Sequence, residues 1–339
     1  MSSQEATTGW GVLATGRIAR SFARDLREVP GARLAAVGSR SEGSAHDLAE
    51  QYGDSGTRAH GSYEALVADP SVDVVYVASP HALHLEHARL ALEAGKHVLC
   101  EKPLTLNLAE AREMVDLAAE HDRFLMEAMW MTCHPVIRAV RDELQAGRFG
   151  RPRQLHADLG FVVSRPAGDR LVEPDLGAGA LLDMGVYPLT LADLLLGPAE
   201  QATAVAGLSD SGFDLDVAIA TRHADGAVAA LTASMTSWSP RHATLATDAG
   251  RVELPADFHH PPYAVWVPHG GEPVRIEGIE PLLGGGLGNE AAEVQRCLAL
   301  GLRDSPLAPH DRTLRLMETM DALRRQVGVA YPQEAPRQP

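Results

Sequence analysis

Apolar positions recur along this chain in two rhythms, and the rhythm changes near residue 130. Residues 8–13 form an apolar run ending in Ala14-Thr15-Gly16-Arg17-Ile18-Ala19, after which Phe22, Ala23 and Leu26 return at helical spacing. That order predicts strand, tight turn, helix. Further strands are predicted over Arg33 to Val37, Asp73 to Ala78, His97 to Cys100 and Phe124 to Ala128. Helices are predicted between them, over Ala45 to Tyr52, Tyr63 to Ala68, Ala82 to Ala94 (stopped by Gly95) and Ala109 to Glu120. Short β-branched runs alternating with helices imply a doubly wound parallel sheet, the Rossmann arrangement.

Beyond a helix around Val136 to Gln145 the strands lengthen and alternate: Gln154 to Val163, Ala202 to Leu208, Leu215 to His223 and Ala227 to Thr236. Shorter ones follow near Thr244, Val252 and Tyr263 to Val267, with helices over Ala180 to Leu196, Asn289 to Gly301 and Asp311 to Val327. Turn signals such as Ala224-Asp225-Gly226 predict an antiparallel meander. The expected fold class is α/β. A Rossmann domain spans 1–130, an α+β domain on a large, mostly antiparallel open sheet spans 131–332, and 333–339 form a flexible tail.

Bulk properties sharpen this picture. A chain of 339 residues, 45% hydrophobic, exceeds what one core usually organises, which agrees with two domains. The net charge of −15 repels polyanions, and no basic patch offsets it, so no nucleic-acid partner is expected. The first eight residues lack an apolar secretion core, and no run of about eighteen uncharged apolar residues follows, so neither export nor a membrane is expected. Cys100, Cys133 and Cys297 are odd in number and widely spaced, which fits neither a disulfide framework nor a zinc site and suits the cytoplasm. Of the 30 basic residues, only Lys96 and Lys102 are lysines.

Several short segments carry chemistry. Ala14-x-Gly16-x-x-Ala19 is a degenerate dinucleotide fingerprint: Gly16 lets the backbone approach a pyrophosphate and Ala19 permits close helix–strand packing. With alanine first, the turn is expected to avoid positive φ there. Thr15, Gly16, Arg17 and Ile18 would then border the phosphates. Where a carboxylate would hold an NAD ribose, the chain offers Ser39 and Arg40, a hydroxyl and a guanidinium suited to a 2′-phosphate. The cofactor expected is NADP, with NAD possible. Lys96 is expected to be solvated. Lys102, in Glu101-Lys102-Pro103, is a titratable amine in a chain that otherwise prefers arginine. Asp183 and Tyr187 stand four apart and so share one helical face, with nearby glycines expected to let a ligand come close. His259-His260 has no acidic or cysteine partner at ligand spacing, so no metal is expected, and Gly284-Gly285-Gly286 is expected to be a flexible loop.

The Glu101-Lys102-Pro103 strand end, the preceding Ala78-Ser79-Pro80-His81, and Gly177-Ala178-Gly179 leading to Asp183-Met184-Gly185-Val186-Tyr187 together resemble the Gfo/Idh/MocA oxidoreductase family. Glu127-Ala128-Met129-Trp130 is similar to its NADP-linked subgroup of dihydrodiol and D-xylose dehydrogenases, although Thr132-Cys133-His134 stands where an Arg-Phe pair often follows there. The resemblance implies hydride transfer between the nicotinamide and a hydroxyl or carbonyl carbon of a sugar, polyol or vicinal diol. It implies catalytic roles for Lys102, Tyr187 and Asp183, with Tyr187 as acid/base. Ser79, Pro80, His84 and Glu101 would lie by the cofactor, and Trp130 would wall the substrate pocket. It further implies a homodimer or homotetramer formed through the C-terminal sheet. Alternative readings are a non-catalytic NADP-binding regulator and a redox-assisted lyase or glycosidase with tightly bound NAD.

Overall fold

The computed structural model describes residues 7–164, 166 and 168–334. It divides into two compact units: 1–105, 109–133 and 282–313 in one, and 106–108, 134–281 and 314–339 in the other.

In the first unit, β1 (Thr8–Leu13), α1 (Arg17–Leu26), β2 (Ala32–Gly38), α2 (Glu42–Tyr52), β3 (Arg58–His60), α3 (Tyr63–Val67), β4 (Val74–Val77), α4 (His84–Glu93), β5 (His97–Glu101), α5 (Leu108–Glu120), β6 (Leu125–Ala128) and α6 (Trp130–Cys133) follow in order. The six strands form one sheet in the order β3-β2-β1-β4-β5-β6. Every adjacent pair is parallel. Val74–Val77 is buried throughout, as a strand covered on both faces requires. The strand order reverses between β1 and β4, and ligands of such sheets bind at that switch point, beyond the strands' carboxyl ends.

In the second unit, α7 (Pro135–Gln145) precedes β7 (Pro152–Gly160), α8 (Val186–Leu196), β8 (Ala199–Leu208), β9 (Asp214–His223), β10 (Val228–Ser234), β11 (Ala243–Thr247), β12 (Gly250–Leu254), β13 (Ala264–Pro268) and β14 (Val274–Ile276). The eight-stranded sheet runs β14-β13-β12-β11-β7-β10-β9-β8. It departs from a simple meander in one respect: β7 enters its middle, parallel to β10 and antiparallel to β11. Strand β10 alternates exposed and buried positions, so one sheet face packs inward. Among the described residues the segment Pro174–Leu196 is long and apolar enough to cross a membrane, by length and composition alone. It carries Asp175, Asp183 and Asp193, and 89% of its most apolar window is buried in the fold.

Two helices follow, α9 (Leu287–Ala299) and α10 (His310–Val327). A linear cut at 130/131 leaves α9 with the C-terminal half. The structure instead groups residues 282–313 with the first unit, because Leu287, Ala291 and Val294 share a buried core with Phe22, Ala23 and Leu26 of α1. Of the tail expected at 333–339, Gln333 and Glu334 belong to a short 3-10 turn, Pro332–Glu334, and residues 335–339 lie outside the described residues.

Candidate active site

The first unit gathers its sequence-predicted residues along the carboxyl ends of β1, β2, β4 and β5. Gly16 caps α1 with no side-chain hydrogen bond, and a Cβ added there would meet nothing within 4 Å. The helix N-terminus therefore keeps its N–H groups and positive dipole end turned to open space, as an anion site needs. Ala14 departs from expectation, for its φ is +79°. Its N–H donates to the Gly38 carbonyl at 2.9 Å, and that bond between strand ends holds the left-handed turn despite a cost of about 1–2 kcal/mol.

Ser39 is buried at the end of β2, its hydroxyl accepting from the Ser41 N–H at 3.2 Å. Arg40 is exposed beside Tyr63, whose phenol is raised by burial while the guanidinium partly offsets the rise. Ser79 is 7% exposed, and its hydroxyl is buried without a hydrogen-bond partner. Such an orphan costs roughly 1–3 kcal/mol until something satisfies it. This hydroxyl and the open Gly16 cradle fit a dinucleotide at the switch point.

The Glu101-Lys102-Pro103 turn is braced from below. Tyr76 donates its phenol proton to Glu101 Oε1, the Lys102 N–H donates to Glu101 Oε2 at 3.2 Å, and the Lys102-Pro103 bond is cis. Glu127 accepts from the Leu104 N–H at 3.1 Å and from the Thr313 hydroxyl at 2.7 Å. Burial pushes its carboxyl up, while those two bonds and Lys102 pull it down. His84, expected by the cofactor, lies beneath this turn. It is fully buried, with Nδ1 3.0 and 3.2 Å from the Pro103 and Leu104 carbonyls and Nε2 2.9 Å from that of Ser79. Nδ1 thus faces the turn and Nε2 the segment after β4, so His84 is packed between the two. Lys96 is not merely solvated, since its ammonium donates to the Asp69 and Val72 carbonyls at 2.9 and 2.7 Å. Trp130, half-buried in α6, packs on the first unit's core. Nor is the triple glycine a loose loop: Gly285 and Leu287 donate their N–H groups to the buried Asp25 carboxylate at 2.7 and 3.3 Å. A Cβ on Gly284 would meet Asp25 Cγ at 2.4 Å.

The second unit holds Asp183 and Tyr187, both 7% exposed. Asp183 lies in a π-helical turn, Leu181–Gly185, that runs directly into α8. Such turns often mark functional positions. Arg170, which the sequence pattern did not single out, donates to Asp183 Oδ1 at 3.0 Å. The glycine before this helix makes room for protein. Gly179 has φ +137°, and a Cβ there would lie 2.5 Å from Asp214 Oδ1. Asp214, fully buried, accepts the Leu181 N–H at 2.5 Å, and burial raises its carboxyl. The Tyr187 ring lies 4.8 Å from that of His259, which is 4.4 Å from that of His260. Burial lowers His260 and brings His134 down to about 4, with His260 adding to the latter shift. An acidic partner for the His pair does exist, because Asp257 lies with them.

Residues 8–129 match the Gfo/Idh/MocA oxidoreductase family with its NAD-binding Rossmann fold, and residues 137–253 match the Gfo/Idh/MocA C-terminal domain. The chain belongs to that family. It is 32% identical to trans-1,2-dihydrobenzene-1,2-diol dehydrogenase of Danio rerio, over 96% of this chain and 98% of the relative. It is 34% identical to the NADP(+) D-xylose 1-dehydrogenase of Hypocrea jecorina, over 98% and 95%. A 3-ketoreductase from Actinomadura kijaniata, solved with NADP and TDP-benzene, superposes with a TM-score of 0.83 at 28% identity, over 95% of this chain and 98% of that one. Membership makes this Gfo/Idh/MocA protein an oxidoreductase on a nucleotide-binding Rossmann domain.

Proposed function

We propose that this Gfo/Idh/MocA protein is an NADP-dependent dehydrogenase or reductase acting on a hydroxyl or carbonyl carbon of a sugar, polyol or vicinal diol. The observation that carries this reading is the turn that presents Lys102: one of two lysines in the chain, it stands at the carboxyl end of β5, where Glu101, Glu127 and His84 bond backbone groups of the turn. NADP fits the open N-terminus of α1, the unsatisfied Ser79 hydroxyl and the exposed Arg40, and when bound its nicotinamide supplies the hydride acceptor or donor. In the oxidative direction Tyr187 takes the proton of the substrate hydroxyl, Asp183, held by Arg170, orients the substrate, and Lys102 serves as the further catalytic group. The relatives' names support the reaction class, and intact Lys102, Asp183 and Tyr187 weigh against the regulator reading. The exposed face of the eight-stranded sheet, with Val205 71% exposed, is where we expect a second copy to pair. A small hydroxylated molecule in the cytoplasm, rather than nucleic acid or membrane, completes the proposal.

The test is nicotinamide absorbance during turnover, screened over sugars, polyols and cyclic diols. Lys102→Met and Tyr187→Phe are each expected to slow turnover about 10²–10⁴-fold. The double variant should fall much less than the product of the two if both groups serve one chemical step. Lys102→Met retaining activity within a few-fold of the parent would remove that lysine from the mechanism. Turnover of a glycoside or elimination substrate with no net absorbance change would favour redox-assisted cleavage.

A further inference from the structure

We propose that the turn Asp257–His260 of the second unit is a binding site for a borderline divalent cation of the zinc, cobalt or nickel kind, with Asp257, His259 and His260 as its ligands. The donor atoms of these three side chains lie within 4.8 Å of one another. Two imidazoles and one carboxylate suit such ions and suit calcium or magnesium poorly, since those prefer oxygen alone.

The turn is built rather than incidental. The His260 N–H donates to the Asp257 carbonyl at 2.8 Å, which folds the two ends of the segment together. Phe258, fully buried, anchors it, with its N–H donating to the Arg241 carbonyl at 3.1 Å. The ring planes of His259 and His260 stand at 86°, so the two imidazoles face different directions around one corner. A second observation lies beside the trio. His134 is 2% exposed, interacts electrostatically with His260, and has Nε2 buried without a hydrogen-bond partner. Nδ1 accepts the Val136 N–H at 3.3 Å, so Nε2 carries the ring proton, and a hydroxide held by the bound cation would accept it.

One group opposes the ion. Arg241 pairs with Asp257 at 3.0 Å, and a guanidinium and a metal compete for the same carboxylate. A tetrahedral ion with bonds of about 2.0–2.2 Å also needs its donors about 3.3–3.5 Å apart. Binding therefore draws the three side chains inward and turns Asp257 away from Arg241. The competition yields a signature that few adventitious sites would share: removing the guanidinium should strengthen the metal site.

The experiment titrates the chelator-treated full chain with Co²⁺, following visible absorption and equilibrium dialysis. One tightly bound Co²⁺ per chain is expected, with the absorption of a low-symmetry nitrogen–oxygen site and a melting temperature that rises with added Co²⁺. His259→Gln combined with His260→Gln should abolish all three effects while leaving the circular dichroism spectrum unchanged. Arg241→Met should bind roughly two- to fivefold tighter than the parent, the factor that loss of a competing, partly exposed ion pair provides. No stoichiometric binding in the parent, or binding undiminished in the double Gln variant, would overturn the site. Weaker binding in Arg241→Met would overturn the ligand role of Asp257.

Discussion

The two units brace their chemistry in opposite ways. Around Lys102 the supports lie within 25 positions: Glu101 is its neighbour, and His84 and Glu127, 18 and 25 positions away, bond backbone groups of the turn. Around Asp183 and Tyr187, Arg170 is equally near in sequence, but the other supports come from farther along it. Asp214 holds the helix start, and His259 packs on the phenol ring from 72 positions away, the difference between 259 and 187. A site braced locally keeps its signature in a short motif. A site braced by distant partners spreads its determinants over the domain, so the first ought to tolerate remote substitution better than the second.

The largest expected effect tests the second region. Asp214→Ala leaves the buried Leu181 N–H unpaired and opens a void against Gly179, and it should cost roughly 3 kcal/mol of stability in denaturant melts. Asp214→Asn keeps an acceptor and should cost far less. The two carboxyl states also give a pH test. Burial raises the folded Asp214 carboxyl above its unfolded value of about 3.9, so the stability this group contributes is fully present below that pH and is lost as pH rises through the folded value. The stability difference between parent and Asp214→Asn should therefore move in favour of the Asn variant as pH rises from about 4 towards neutrality. A flat difference would mean that the carboxyl titrates normally and that burial is fully compensated.

This contrast also explains how much the sequence disclosed. The β/α alternation, the fingerprint around Gly16 and the Glu101-Lys102-Pro103 strand end are local patterns, and each occupies its expected place in the six-stranded sheet. What the pattern misjudged depends on long-range pairing. The three glycines at 284–286 look like a loose linker until Asp25, some 260 residues earlier, is seen to fill their concavity. A charged residue beside Phe22, Ala23 and Leu26 on the buried side of α1 was the available signal. Gly179 likewise answers Asp214, and the His pair gains its carboxylate from Asp257 two positions before His259, a spacing that a turn closes and an extended chain does not. The parallel entry of β7 beside β10 leaves no local mark at all, because strand direction is decided by the connection and not by the alternation of side chains.

A middling effect sharpens the first region. If Arg40 reads a 2′-phosphate, Arg40→Ala removes one charge-assisted contact worth about 1.5–3 kcal/mol, so the KM for NADP should rise roughly ten- to hundredfold while that for NAD stays nearly constant. Because Arg40 is exposed and leaves the Lys102 turn untouched, kcat at saturating NADP should hold. Equal losses with both cofactors would show that the guanidinium serves the loop around Tyr63 instead of the nucleotide.

The smallest effect is the most local. Ala14 sits at φ +79° between β1 and α1, where glycine would escape the left-handed penalty but would also bring a freer unfolded chain. The two terms are each about 1 kcal/mol and oppose one another, so Ala14→Gly should shift stability by less than about 1 kcal/mol in either direction. The same change completes the glycine spacing of the dinucleotide fingerprint without altering the N–H bond to Gly38, so the KM for NADP should also stay within about twofold. A large gain in cofactor affinity would mean that the alanine methyl crowds the phosphates. In that case the turn, which looks merely strained, would be a point at which this chain limits how tightly it holds its nucleotide.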